Sequence, residues 1–553
     1  MMNAAKDRRR ILLALALLAV AGLAWRWAAW ILNPDSAFLI DRQDCRWVVA
    51  DRSPSLQVYA LGPTEAGFRR RFLLDRRVDD WEVTIHAMRG FRAGLDGRRL
   101  HPAPVGAGWK SGGLIRGEGG LEPGEHELLV IVSNRDGPPS LMVRGLGLPV
   151  STGWLWEASL DGRTWKPTRP AADIRWPKEV LAYPDTGAAL AASWPWLILA
   201  FTGFLAFMAA GGRLDDRAVK WIVVLGWAVL GLNNAGKLPA GTGFDTDLHL
   251  AYMRRILEGG SLPVPGEAPG ASQFFQPPLY YLLSLPIYGL LAGSVSVHWL
   301  TAGLRVVPLL CGLGIIELTH RMSARVFPDR SSLRSVAVAV AGLCPMSIYM
   351  AQAPGNESLA ALLTALTLAL LLGFVLEPDR RRPWADFAVL GAVWGAAMLA
   401  KVTPVLLMPA IGAALARHFV STDEGWKGTL ARSGSLLGAA LAVCGWFYLR
   451  NFLLLGRPFV GGWEAVGATG WWQEPGYRVW GQYLSFGPSL TRPVFAGMAG
   501  AWDSLHSTLW LDGFLGGNAR HPPPWNMAPM LMGSLLGLIP AGLVLASLRA
   551  FWR

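Results

Sequence analysis

A chain of 553 residues with 52% hydrophobic and only 16% charged residues lies well below the roughly 25% charge of soluble domains, which excludes an ordinary soluble protein. The formal charge of +12, from 51 basic and 39 acidic residues, could signal nucleic acid. Here, however, Lys and Arg gather in short runs beside apolar stretches, as in the positive-inside pattern of membrane proteins, and nucleic acid is excluded as a partner.

The chain opens with Lys6, Arg8, Arg9 and Arg10, followed by an apolar run from Ile11 to about Leu32. A signal peptide is the rival reading. The run is long for one, is interrupted by Trp25, Arg26 and Trp27, and no small-x-small cleavage site follows. Residues 1–32 are therefore read as a cytoplasmic tail and a retained membrane anchor.

From 33 to 190 no segment is long enough to span a bilayer. Alternating stretches such as Leu56 to Ala60, Trp81 to Ala87 and Glu127 to Val132 predict half-buried strands. Turn signals separate them at Asp96-Gly97, Pro123-Gly124, Asp136-Gly137 and Asp161-Gly162. This stretch is expected to be an extracytoplasmic all-β sandwich. Cys45 has no partner there, so no disulfide is expected, and Cys311, Cys344 and Cys444 read as small core residues.

Residues 191–553 carry apolar stretches near 193–211, 219–236, 300–319, 334–352, 358–376, 384–400, 402–417, 430–448 and 528–548. With the anchor they predict about ten spans. The basic flanks at Arg213 to Lys220, His320 to Arg334, Arg380 to Arg382, Arg417 to Arg432 and Arg549 to Arg553 then fall on one side, the cytoplasm. Two long loops, 237–299 and 450–527, fall on the outer side. Pro277 to Leu291 is apolar but short and reads as re-entrant or interfacial. Trp463, Trp471, Trp472, Trp480, Trp502, Trp510 and Trp525 crowd the second loop as interfacial or sugar-stacking aromatics.

The first outer loop holds Asp245, Asp247 and His249, then a helical period through Leu257 that includes Arg254 and Arg255, and later Gln276-Pro-Pro-Leu-Tyr280-Tyr281. Asp245 reads either as a helix N-cap or as a working carboxylate. The order D-x-x-x-H-x-x-Y, L-P-x-P, Q-P-P-L-Y-Y resembles the GT-C superfamily of membrane glycosyltransferases, which includes protein O-mannosyltransferases and aminoarabinose transferases. Three later segments extend the likeness over about 220–515: Pro345 to Ala360 with Glu357, Ala392 to Pro404 with Lys401, and Trp446 to Pro458 with Arg450 and Asn451. Phe275-Gln276 departs from the Glu-Lys that precedes Pro-Pro in the aminoarabinose transferases. The β-segment, through Phe72 to Asp75, Leu95 to Arg99, Leu121 to Leu128 and Ala158 to Trp165, resembles the galactose-binding-like jelly roll of glycoside hydrolases, which binds sugar or only packs.

The resemblance implies a polytopic GT-C-like membrane enzyme with an inserted jelly roll. It would move a sugar from a polyprenyl-phosphate-linked donor to a glycan, lipid or protein acceptor at the outer face of a bacterial inner membrane, with inversion. Asp245 is the expected catalytic carboxylate and Asp247 the second choice. Substrate contacts are expected from His249, Arg254, Arg255, Gln276, Tyr280, Lys401, Arg450 and Asn451. A bland alternative stands beside several of them: Arg254 and Arg255 as solvated headgroup residues, Lys401 as a snorkelling lysine, His249 as a satisfied loop histidine. Asp245 and Glu357 could also hold a divalent metal, Mg2+ or Mn2+, with a dipole-favoured helix acid as the other reading of Glu357. A transporter or flippase with an outer sugar-binding domain is the alternative function. It is disfavoured because the acidic residues gather at the outer surface and no repeat is visible in the hydropathy.

Overall fold

The computed structural model describes residues 39–40, 45–51, 64–171 except 107, 118 and 135–137, 185–210 except 193, 215–267 except 242 and 244, 273–461, 479–492, 496, 499–510 and 537, with parts of 18–33. The strand expected at 56–60, the turn at 136–137, most of the anchor and most of the last expected span lie outside these residues. The described residues form two compact units.

The first unit is built on two β-sheets and also takes in short helices at Trp480–Tyr483 and Pro488–Thr491. Its strands are β1 (Val48–Val49), β2 (Thr64–Leu74), β3 (Glu82–Ala87), β4 (Gly90–Leu95), β5 (Arg98–Leu100), β6 (Ala103–Pro104), β7 (Gly113–Arg116), β8 (Gly124–Asn134), β9 (Ser140–Leu146), β10 (Glu157–Ser159), β11 (Lys166–Pro167) and β12 (Arg169–Pro170). They form two six-stranded antiparallel sheets, ordered β12-β1-β9-β3-β7-β6 and β11-β10-β2-β8-β4-β5. Alternation builds the core, as the period of a strand demands. Ala66, Phe68, Phe72 and Leu74 of one sheet pack in one cluster with Val83, Ile85 and Val143 of the other, around a fully buried Trp156. Asp96 (φ 50°) and Gly97 (φ 76°) make the two-residue turn between β4 and β5, where the backbone must be left-handed. Val479, from the second expected outer loop, also belongs to this unit: it pairs with Leu39 in a parallel bridge and packs on a small cluster with Trp47.

The second unit is helical: α1 (Thr186–Ala192), α2 (Trp194–Ala210), α3 (Asp216–Ala235), α4 (Thr246–Gly259), α5 (Leu279–Leu291), α6 (Val297–Leu304), α7 (Val306–Val326), α8 (Ser331–Leu343), α9 (Pro345–Met350), α10 (Glu357–Leu376), α11 (Trp384–Ala400), a 3-10 turn at Thr403–Leu407, α12 (Met408–Ser421) and α13 (Trp426–Leu455). Among the described residues, five segments are long and apolar enough to cross a membrane: Asp216–Ala235, Val297–Val326, Glu357–Leu376, Thr403–Ser421 and Trp426–Leu455. The span expected at 334–352 is instead broken at Cys344. Pro345 has no N–H for the preceding turn, so α8 stops after 13 residues, about 20 Å of rise against the roughly 30 Å of a hydrocarbon core. Cys344 at this break is half-buried rather than a core residue; Cys45, Cys311 and Cys444 are buried, and none of the four forms a disulfide.

Helices α11 and α13 approach closely because small residues face the contact. A Cβ at Gly395 would sit 2.6 Å from the Ala440 carbonyl oxygen, and one at Gly391 would run into the Leu436 carbonyl.

The two ends of the bundle differ in chemistry. At one end, Asp216 takes His320 (2.7 Å) and Arg334 (2.8 Å), Lys220 reaches Glu317 (2.8 Å), and Arg382 donates to the Gly373 carbonyl (2.8 Å). These are the basic flanks of the sequence, drawn together. At the other end, Asn234 bonds Gln352 (2.6 Å), Arg305 donates to the Pro239 carbonyl (2.7 Å), and the side chains described next converge.

Candidate active site

Helix α4 begins after Asp245, whose backbone is left-handed (φ 58°, ψ 26°). An N-cap Asp would accept from the first free N–H groups of the helix. Asp245 makes no such bond. Its Oδ2 instead accepts from Gln273 Nε2 at 2.7 Å. The capping alternative is thereby set aside, and the exposed carboxylate is held by a side chain 28 residues away.

Gln273 starts a chain of amides. Its Oε1 accepts from Gln276 Nε2 (3.0 Å), Gln276 Oε1 accepts from Asn356 Nδ2 (3.1 Å), and the same Nδ2 donates to the Ala400 carbonyl (2.9 Å) at the end of α11. Gln276 and Asn356 are buried, so these bonds are made in a low dielectric and each missing partner would be costly. One hydrogen-bonded line thus joins the segments that sequence analysis singled out separately.

Beside it, Lys401 Nζ donates to Glu357 Oε1 at 3.0 Å, across 44 residues of sequence. Glu357 Oε2 is buried without a hydrogen-bond partner. Gly355 keeps the space next to it open: a Cβ there would lie 2.6 Å from Glu357 Oε2 and 3.2 Å from His249 Nε2. His249 is 1% exposed, with its Nδ1 2.8 Å from the Tyr281 hydroxyl, and Tyr281 stacks on Tyr252 at 3.7 Å. Burial pushes the His249 imidazole below its ordinary value; the Glu357 and Asp245 carboxylates act the other way, and the Lys401 ammonium again lowers it.

The remaining expected residues serve elsewhere. Asp247 is exposed in the first turn of α4, where its charge suits the helix N-terminus, and is not part of the amide chain. Arg255 is committed to Glu267 (2.5 Å), and Arg254 is exposed beside Tyr288, so neither is drawn into the Asp245–Lys401 cluster. Arg450 donates to the carbonyls of Leu262 (2.8 Å) and Pro263 (3.1 Å) and so pins the L-P-x-P break; Asn451 donates to Pro458. Tyr280 is fully buried, against His249 at 6.3 Å between rings.

Asp245 Oδ2 accepts from Gln273 and Glu357 Oε1 from the Lys401 ammonium, and among the described residues no three His, Cys, Asp or Glu side chains gather around one point. Sequence reasoning missed Gln273, Tyr281 and the role of Asn356. The Gln273-x-x-Gln276 spacing was the available signal, and nothing local distinguished it from loop polarity.

No curated relative matches the chain. Two solved α-L-rhamnosidases resemble it slightly. The Aspergillus terreus enzyme is 16% identical over 25% of this chain and 22% of its own, at TM-score 0.20. The Streptomyces avermitilis enzyme, complexed with L-rhamnose, is 16% identical over 23% of this chain and 16% of its own, at TM-score 0.17. The chain thus spans about a fifth of these proteins, and at such scores neither bears on the fold. Residues 290–447 match the family model described as dolichyl-phosphate-mannose-protein mannosyltransferase, a stretch that contains Glu357 and Lys401, ends just before Arg450, and marks the helical unit as similar to membrane glycosyltransferases of the GT-C type.

Proposed function

We propose that the protein transfers a sugar from a polyprenyl-phosphate carrier to an acceptor hydroxyl at the outer face of a bacterial inner membrane. The observation that carries this reading is the Asp245 carboxylate, exposed and bound to Gln273 rather than to its own helix, in a chain whose next helices match a mannosyltransferase family. It lies at the end of the bundle opposite the basic flanks with Arg334 and Arg382, which supports the outer side.

In this mechanism the acceptor oxygen attacks the anomeric carbon while the Asp245 carboxylate takes its proton. The bond from the anomeric carbon to the phosphate oxygen breaks, and its electron pair leaves on the polyprenyl phosphate. Direct attack gives inversion. Lys401, held by Glu357, faces the departing phosphate, where a charge-assisted contact has most effect on the transition state. Neutral His249 and Glu357 Oε2 flank the gap at Gly355 and orient the acceptor. The β-unit is read as the galactose-binding-like jelly roll. Its exposed Trp154, beside a cleft of about 380 Å³ that Arg46, Thr152 and Thr168 also line, is the place for a sugar ring.

Asp245→Asn keeps the shape and removes the base. It should insert normally and lose roughly 10²–10⁴-fold in rate, with Asp247→Asn affected less, measured as consumption of lipid-linked sugar by mass spectrometry. Full activity in both variants, or no consumption by the wild type, rejects the transferase and favours a transporter.

A further inference from the structure

We propose that an arginine-lined cleft at the other end of the helical unit binds the phosphodiester headgroup of an anionic membrane lipid. The cleft encloses about 500 Å³ where α7 and α10 end and α11 begins. Both α7 and α10 lie in segments apolar enough to cross a membrane, so their ends lie where hydrocarbon gives way to headgroups.

Three guanidinium groups line it: Arg325, Arg380 and Arg382. Arg382 is fixed. Its side chain is 10% exposed, Nη2 donates to the Gly373 carbonyl (2.8 Å), Nη1 reaches Asp386 (3.3 Å), and the guanidinium lies 4.5 Å from the Phe374 ring centre. Its Nε is buried with no acceptor, which leaves a donor for a ligand oxygen. Arg325 and Arg380 stand exposed at the rim, Arg380 bonded to Glu377 at 3.0 Å.

Charge sets the class of ligand. The cleft is lined by three arginines against two carboxylates, Glu377 and Asp386, which leaves one positive charge. A phosphodiester carries one negative charge and closes that balance. Free phosphate carries the same oxygens, but the walls favour a lipid: Leu376 (45% exposed) and Val389 (50% exposed) present apolar surface in the same cleft. Basic pockets between membrane helices are suited to such headgroups.

The test is native mass spectrometry of the purified full chain in detergent, titrated separately with phosphatidylglycerol, phosphatidylcholine and inorganic phosphate. The wild type should retain one phosphatidylglycerol in preference to phosphatidylcholine. Arg325→Gln/Arg380→Gln, at exposed positions, should weaken that retention roughly thirtyfold. Val389→Glu, which keeps every arginine, should weaken it too. Arg321→Gln/Lys427→Gln, outside the cleft, should not. Equal retention of the two lipids, unchanged retention in both cleft variants, or displacement of the lipid by inorganic phosphate at equal concentration overturns the proposal.

Discussion

Removal of the Gln273 amide tests whether Asp245 works through its position. Asp245 has a left-handed backbone (φ 58°), which costs a residue other than glycine about 1–3 kcal/mol, toward the low end for Asp. The 2.7 Å bond from Gln273 to its carboxylate is charge-assisted and worth about 1.5–3 kcal/mol, enough to offset that strain. In Gln273→Ala the carboxylate loses its fixed direction. Each 1.4 kcal/mol is a factor of ten, so transfer should fall roughly 10–100-fold. The assay is the initial rate of loss of lipid-linked sugar in membranes that contain equal amounts of each variant. The decisive comparison is the double variant Asp245→Asn/Gln273→Ala. If Gln273 acts only through Asp245, the double variant should match Asp245→Asn alone, because the two losses share one cause. Full activity in Gln273→Ala, or losses that multiply in the double variant, would refute the reasoning.

Gly355→Ala places a methyl 2.6 Å from Glu357 Oε2 and should depress transfer while leaving membrane insertion intact; wild-type rates would show that the gap holds no acceptor. His249 has a lowered value in the folded chain, so the unfolded chain binds more protons near pH 6. Its contribution to stability is therefore complete above about pH 6.5 and is lost as pH falls below that, which a melting series from pH 8 to 5 on wild type and His249→Gln should show as converging curves. Residues 33–188 expressed alone should give a soluble β-rich fold with cooperative melting, since the main β core draws only on residues 48–158; a disordered or helical spectrum would reject this.

Local patterns made much of this legible. Alternation located β3 and β8, and Asp96-Gly97 announced its hairpin because only a left-handed turn joins strands so closely. The helical period after Asp245 gave α4 to within two residues. What local patterns did not show was the pairing of side chains across the chain. The sequence set Lys401 and Glu357 apart in separate roles, and the structure joins them by a hydrogen bond across 44 positions. Arg255 was assigned to a phosphate and is committed to Glu267 instead. Gln273 carried no periodicity and no charge, and its importance exists only once α4 and α10 are packed. The break at Cys344 was readable in Pro345 but was overridden by continuous hydropathy.

The glycine contact between α11 and α13 bears on how a bulky lipid-linked donor would enter. Backbones that touch at Gly391 and Gly395 leave no layer of side chains to shear, so these two helices move as one post. That post carries Lys401, the proposed phosphate contact, at the end of α11, and Arg450 near the end of α13. The yielding part is then the α4–α5 segment, tied to the post through the Gln276–Asn356–Ala400 line and through Arg450 to the carbonyls of Leu262 and Pro263. Opening for the donor would break a handful of amide bonds on one side and leave the phosphate-facing side in register, so the geometry of departure would survive each cycle of loading and release.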